Sequence, residues 1–311
     1  MSDSDYERRM KERVAGVFGR AAESYDSLGP RAFSYWGRRL VEWANIPRGA
    51  KVLDVGTGRG EELFPATERV GSTGYVIGID FVAPMVRLTA EEIRQRGLRN
   101  AEAYLMDAET LAFADASFDY VLSSSVLNLC PRPHRALAEM ARVLRPEGKV
   151  AVIPTGGGAG GLIPSGGAGP MVDADSGRDW FNELLRAYVP QSQGLQRCEQ
   201  EFQAIRSYRR ETGQSWVNAS DPGGLEEALR QAGFVDIQIV PEEAEFVFAD
   251  EKEWWTWQWS NWMRNVLEGM EPETLERFKA DVFEKLRALN EPDGIHARGR
   301  TVLAVATKRR G

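Results

Sequence analysis

The amino-acid sequence predicts an α/β fold: a doubly wound, seven-stranded, mostly parallel sheet carrying helical cap insertions. Three observations carry that expectation. From Lys51 onward, short apolar runs alternate with segments of helical periodicity, which requires right-handed crossovers and a sheet covered on both faces. The first run ends in the glycine turn Asp54-Val-Gly-Thr-Gly-Arg-Gly60. The next two runs end on acids, Asp80 and Asp107.

Taken in chain order, the apolar stripe Met10, Val14, Val17 and Phe18 predicts a helix over 5–22, closed by the turn Ser27-Leu-Gly-Pro30. A second helix is expected over 31–45, and both belong to an N-terminal extension, 1–46. Strands are expected over 51–55, 74–79, 103–106, 118–122 and 148–154, with helices over 61–68, 83–95 and 133–144, giving a core over 47–155. The rhythm then breaks in a charge-free, glycine-rich stretch over 150–172 that includes Pro154, Pro164 and Pro170. That composition frees backbone groups that lipid cannot satisfy, so the stretch reads as a loop and no membrane span is expected.

Helices over 179–188 and 198–210 follow within an insertion, 156–221. The core resumes over 222–248, with a helix at 223–232 and a strand at 235–240 that can extend through Phe248. A second insertion, 249–300, reads as two helices, 251–267 and 272–290, before a last strand at 301–307 within 301–311. Two insertions at neighbouring crossovers predict a cap over the carboxyl edge of the sheet, where such folds bind ligands.

Composition narrows the partners. A net charge of −7 disfavours a polyanion, because phosphate recognition needs a basic stripe, so no nucleic acid is expected. Two cysteines, Cys130 and Cys198, and two histidines, His134 and His296, supply neither a disulfide framework nor a four-ligand zinc site, and no metal is expected. The charged segment Met1-Ser-Asp-Ser-Asp-Tyr-Glu-Arg-Arg-Met10 lacks the apolar core of a secretion signal, so the expected location is cytoplasmic.

The glycine turn identifies a ligand class. Gly56, Gly58 and Gly60 let the backbone approach a ligand closely, and a helix follows directly. The dinucleotide fingerprint spaces its glycines G-x-G-x-x-G, whereas here the spacing is G-x-G-x-G. The carboxylate of Asp54, just before the turn, repels phosphate but suits an amino-acid ammonium. S-adenosylmethionine (SAM) fits this pattern better than a nicotinamide nucleotide. Asp80 suits the two ribose hydroxyls, Phe81 and Met85 the faces of adenine, and Asp107 its exocyclic amine.

The ordered set of segments resembles the class I SAM-dependent methyltransferases of the ubiquinone/menaquinone-biosynthesis, or type 11, group, whose fold is Rossmann-like. The matching segments are Val17-Phe-Gly-Arg-Ala-Ala-Glu-Ser-Tyr-Asp26, Val52 to Gly60, Ile79-Asp80, Met106-Asp-Ala108, Ser117-Phe-Asp-Tyr-Val-Leu122 with Asn128-Leu129, and Ala141-Arg-Val-Leu-Arg-Pro-Glu-Gly148. The resemblance implies that Gly56, Thr57 and Gly58 line the methionine part of SAM, that Asp80 holds the ribose, and that Asp107 and Ala108 meet adenine. It also implies a cofactor contact from Ser123 or Ser124, and a Tyr25 that folds over the site. S-adenosylhomocysteine is the implied product of the cofactor.

Several residues have a bland reading beside the functional one. Tyr25 and Asn128 are catalytic candidates that also serve as helix packing and a loop tie. His134 reads as a solvated first-turn residue. His296, expected between the cap helices and the last strand, is a candidate general base because its ordinary pKa suits that task. The run Glu253-Trp-Trp-Thr-Trp-Gln-Trp-Ser-Asn-Trp262 places Trp255, Trp259 and Trp262 on one helical face with Val266, and Trp254 and Trp257 on another. Core packing plus a homodimer contact accounts for most of these tryptophans, and lining of an apolar acceptor pocket is the sharper alternative. Arg206, Arg209 and Arg210 form either a solvated face or an anion site.

The expected activity is therefore C- or O-methylation of a small organic acceptor, an aromatic or isoprenoid specialised metabolite. The rivals are a methyltransferase-like cyclase that binds SAM without transferring its methyl group, and a non-catalytic SAM-binding partner protein.

Overall fold

The computed structural model describes residues 3–154, 180–211 and 222–310. Most of the glycine-rich stretch expected at 150–172 lies outside the described residues. The strands are β1 (Lys51–Val55), β2 (Tyr75–Asp80), β3 (Ala101–Leu105), β4 (Phe118–Ser124), β5 (Leu144–Ile153), β6 (Phe234–Phe248), β7 (Asn290–Glu291) and β8 (Gly294–Lys308). They form one sheet in the order β3-β2-β1-β4-β5-β8-β6, with the two-residue β7 attached to β8. The pairs among β1 to β5 are parallel, while β8 runs antiparallel to both β5 and β6. The seven expected strands are present, and β7 is an addition.

The helices are α1 (Asp3–Ala21), α2 (Ala32–Ala44), α3 (Leu63–Val70), α4 (Ala83–Gln95), α5 (Pro133–Val143), α6 (Trp180–Tyr188), α7 (Gln193–Glu211), α8 (Pro222–Gln231), α9 (Glu251–Gln258), α10 (Met263–Leu267) and α11 (Pro272–Ala288). Strand alternation divides the interior between the two faces of the sheet. Val52, Leu122, Ala151 and Ile153 pack with α2 and α3, whereas Leu53, Val55, Val121, Val150 and Val152 pack with α5 and α8. A nearly continuous apolar run such as β1 is stable only when covered in this way on both sides.

The antiparallel partners β6 and β8 are paired from Phe234 opposite Lys308 to Phe248 opposite Ile295. Only Ala304 to Thr307 of β8 also pair with β5, so the rest of the ribbon runs past that strand. Its outer part buries Phe246, Phe248, Ile295 and Ala297 in the core shared with α9 and α11. Above it, Phe181 of α6, Trp254 of α9 and Phe278 of α11 meet edge to face, with centroid separations of 5.4 and 5.7 Å.

Two expectations are corrected. The helix anticipated over 251–267 is broken between Gln258 and Met263. There the Ser260 hydroxyl and the Asn261 amide both donate to the Trp257 carbonyl, and Asn261 Oδ1 accepts from Met263 N, so side chains replace helix bonds. The last strand starts at Gly294 rather than 301, so residues 294–300 belong to the ribbon and not to the cap insertion. Cross-strand pairing with β6 overrides the weak strand signal of His296-Ala-Arg-Gly-Arg300.

Candidate functional site

The site is assembled at the carboxyl tips of β1 to β4. Gly56 and Thr57 each donate their backbone N–H to the Ile79 carbonyl at 2.8 Å, folding the turn against β2. Gly58 N donates to Asp80 Oδ2 at 2.9 Å and Val82 N to Asp80 Oδ1 at 2.8 Å, so one carboxylate fixes both the turn and the start of α4. From α4, the Thr89 hydroxyl donates to the Gly58 carbonyl. Gly56 has φ 78°, and a Cβ there would lie 2.0 Å from a Val126 methyl. At Gly58, φ 51°, a Cβ would stand 2.9 Å from Glu61 Oε2 and 3.6 Å from the Tyr25 ring. Glycine is required where the backbone is left-handed and so closely approached.

Around this turn the chain buries acids with few compensating cations. Asp54 is fully buried, and among the described residues neither of its carboxylate oxygens has a hydrogen-bond partner. Burial pushes it up to about 7, with the Asp80 charge adding to the rise against partial relief from the nearby Thr57 hydroxyl and Leu63 amide, neither of which reaches hydrogen-bond geometry. Burial likewise raises Asp80 to about 6, offset by the amides of Val82, Gly58 and Phe81. Glu61, which accepts from Arg59 N at 2.9 Å, is pushed to about 8 by burial and by Asp26. Glu62 is raised well above the carboxylate range by burial and by Asp54 and Glu61. The orphaned oxygens of Asp54 inside this acidic enclosure fit a ligand carrying positive charge, and the tight glycine backbone fits its close approach.

The N-terminal helices close the site. Asp26, buried with φ 48°, accepts from Phe33 N, Ser34 N and the Ser34 hydroxyl, so it caps α2 from a distance. That cap fixes the preceding Tyr25, whose ring stacks on Phe33 at 5.0 Å and 17°. Phe33 in turn stacks on Trp257 of α9 at 6.0 Å and 20°. Arg59 donates to the Ala22 carbonyl, tying the turn to the end of α1.

The structure brings together most of the residues anticipated from sequence. Asp54, Gly56, Thr57, Gly58, Gly60 and Asp80 lie in or against the turn, with Ser123 and Ser124 ending the adjacent β4. Ser123 is buried with its hydroxyl unpartnered among the described residues, and Ser124 lies close enough to Glu62 to offset part of its rise. Met85 is sealed against Ala22 and Val82, with Phe18 and Tyr25 alongside, while Phe81 remains more open. Asp107 follows β3 as expected, but its carboxylate is engaged: Oδ1 accepts from Glu109 N, and Lys11 of α1 donates to Oδ2 at 2.5 Å. Lys11 also pairs with Glu109 at 3.0 Å, and Ala108 is buried between these acids in sequence.

Other candidates fall elsewhere. The Asn128 amide, oriented by its surroundings, donates to the carbonyls of Ser125 and Pro154 and thereby ties the loop after β4. His296 lies in β8 opposite Val247 and bonds Asp293 at 3.0 Å and Glu245 at 3.4 Å, none of which belongs to the turn. His134 is in the first turn of α5. Trp254, Trp255 and Trp257 are buried in the cap, and Trp262 meets Phe18 of α1 at 6.1 Å. The side chains of Arg206, Arg209 and Arg210 lie outside the described residues.

Sequence reasoning passed over Glu61, Glu62, Asp26 and Lys11. Two consecutive acids directly after a glycine turn were the available signal for the first pair. Lys11 had none, because its partner lies 96 residues away.

A doubly wound sheet whose tips present a glycine turn and uncompensated carboxylates defines a class of protein that receives a cationic nucleoside. Comparisons agree. A family model described as a methyltransferase domain matches residues 46–156. The chain is 34% identical over 278 residues to nocamycin O-methyltransferase of Saccharothrix syringae, spanning 88% of this chain and 90% of that protein. It is 42% identical over 151 residues to aklanonic acid methyltransferase of Streptomyces sp. (strain C5), spanning 49% of this chain and 67% of that one. The solved phosphoethanolamine N-methyltransferase 2 of Haemonchus contortus, in complex with SAM, shares the fold with a TM-score of 0.51 at 16% identity, over 100% of this chain and 60% of that chain.

The chain belongs to the class I SAM-dependent methyltransferases. It is an enzyme that uses SAM to methylate a small organic molecule. Among the described residues no helix is long and apolar enough to cross a membrane.

Proposed function

We propose that the enzyme is an O-methyltransferase whose acceptor is a flat, largely apolar specialised metabolite bearing a hydroxyl or carboxyl group. The observation that carries this reading is the aromatic stack Tyr25, Phe33, Trp257, which runs without interruption from the glycine turn to the cap. The two relatives support it, one being named as an O-methyltransferase and the other for an organic acid.

In this reading the backbone of Gly56, Thr57, Gly58 and Gly60 surrounds the methionyl part of SAM, and Asp54 faces its ammonium. Gly58 N donates to Asp80 Oδ2 and Val82 N to Oδ1, which leaves lone pairs on the carboxylate for the ribose hydroxyls. Phe81 and Met85 flank adenine near Asp107 and Ala108, and Ser123 and Ser124 close the side toward β4. Bound SAM supplies an activated methyl group on a sulfonium whose neutral thioether leaves readily. The chain therefore has to align the acceptor oxygen and exclude water, and orientation of this kind is worth up to roughly 7–11 kcal/mol. Tyr25 and Phe33 form the wall that does both. Glu61, half-buried near Tyr25 at the glycine turn and raised to about 8 by burial and Asp26, would serve as proton acceptor once a bound cation lowers that value. The described helices of the cap, α6 and α9 to α11, make up the acceptor half, and the glycine turn with its strand tips the cofactor half.

Incubation with methyl-labelled SAM and hydroxylated anthraquinones tests the reading. Label recovered in an O-methyl ether or ester is the expected result, and label on carbon, or none in any of these acceptors, overturns it.

A further inference from the structure

The break between α9 and α10 buries three consecutive-range polar side chains with different fates. Ser260 and Asn261 are buried and satisfied, because both donate to the Trp257 carbonyl and Asn261 also caps Met263. Gln258 is completely buried, yet among the described residues neither its Oε1 nor its Nε2 has a hydrogen-bond partner. The neighbouring Trp257 is buried with its indole N–H equally unpartnered. Among the described residues Trp36 and Asn265 each have a single orphaned donor and Thr57, Ser123 and Ser125 an orphaned hydroxyl, whereas Gln258 is the amide with both its donor and its acceptor atoms unpartnered.

An amide buried in this state lowers the stability of the fold, and leucine or methionine would occupy the same volume without that penalty. Gln258 ends the helix that carries Trp254, Trp255 and Trp257, and these three belong to the main hydrophobic core. Trp257 is also the far end of the stack that begins at Tyr25 beside the glycine turn. An orphaned donor and acceptor pair therefore lies next in sequence to the cap end of the column of rings that starts beside the glycine turn.

We propose that the Gln258 amide and the Trp257 indole N–H form the polar end of the acceptor pocket and select an acceptor carrying a carbonyl next to a hydroxyl. Gln258 Nε2–H and Trp257 Nε1–H donate to the carbonyl oxygen, and Gln258 Oε1 accepts from the hydroxyl. The flat body of the acceptor lies along the stack. Access is by separation of α1 from α10, which are held by the solvent-facing pair Arg20–Glu268 and by Arg264 donating to the Arg20 carbonyl. Exposed pairs of that kind oppose opening only weakly. The inference rests on the acceptor reading given under Proposed function.

The test uses two probes, 1,8-dihydroxyanthraquinone and unsubstituted anthraquinone, titrated into the full-length enzyme in the presence of S-adenosylhomocysteine and followed by quenching of tryptophan fluorescence. Wild type is expected to prefer the dihydroxy compound, and Gln258→Leu to lose about tenfold of that affinity while binding anthraquinone as before. SAM affinity is expected to be unchanged, and the variant to melt at a higher temperature than wild type, because the orphaned amide is gone. A residue with a purely structural role would not raise stability while lowering selective binding. Gln258→Met, of similar length and shape, carries the same test should Gln258→Leu fold poorly. Equal affinity of wild type and variant for the dihydroxy probe overturns the inference and leaves the acceptor reading standing. Failure of wild type to bind either probe overturns the acceptor reading, and this inference with it.

Discussion

At the carboxyl tips of β1 and β2 the chain buries charge, whereas around α9 it buries rings. The first region holds Asp54, Glu61, Glu62 and Asp80 at raised pKa values, and among the described residues no cation is among the groups that lower them. The second holds Phe181, Trp254, Trp255, Trp257 and Phe278 in edge and stacked contacts. The cap is thus packed mainly by ring contacts, while the proposed cofactor cradle is left electrostatically incomplete. Damage in the two regions should consequently separate into loss of stability and loss of affinity.

The largest expected effect is in the cap. Trp254 is fully buried against Phe181, so Trp254→Ala is expected to cost about 3–5 kcal/mol of stability. Calorimetric titration of the remaining folded protein should show SAM affinity close to wild type. A parallel fall in affinity would mean that the two regions are mechanically coupled.

In the cradle, Asp80→Ala removes the acceptor for Gly58 N and Val82 N as well as the proposed ribose contacts. It is expected to weaken SAM by about 1–3 kcal/mol in the same titration, with a smaller change in melting temperature than Trp254→Ala. Unchanged affinity would remove Asp80 from the site.

A smaller effect concerns pH. Asp80, Asp54 and Glu61 are raised to about 6, 7 and 8, above their values in an unfolded chain, so the folded chain holds more protons through that window. Stability is then present at low pH and is lost as the pH rises through those values. Thermal melts without ligand are expected to fall from about pH 5 to about pH 8, and saturating SAM to reduce the fall. A flat profile, or one rising with pH, would contradict the burial of these acids.

The contrast between the two regions also explains what was legible in the sequence. The turn at 54–60, Asp80 and Asp107 could be read because each follows its own strand, so chain order alone places them on one edge. Glu61 and Glu62 escaped because the pattern starts a helix at 61, whereas α3 begins at Leu63 and leaves both acids in the turn. Lys11 on Asp107 and Asp26 beneath α2 are tertiary contacts with no local signature. In the cap, the tryptophan run was visible, but periodicity predicted one helix where Ser260 and Asn261 make two. His296 was misplaced because its strand is defined by pairing with β6 rather than by its own apolar pattern.

The cradle is tested most directly by counting protons released when SAM binds near neutral pH, using calorimetry in buffers of different ionisation enthalpy. A cation entering an enclosure of partly protonated carboxylates must expel protons, so net release is expected from wild type, and less from Asp54→Asn. Binding with no proton release, or release identical in Asp54→Asn, would show that the buried acids of the glycine turn do not face the ligand.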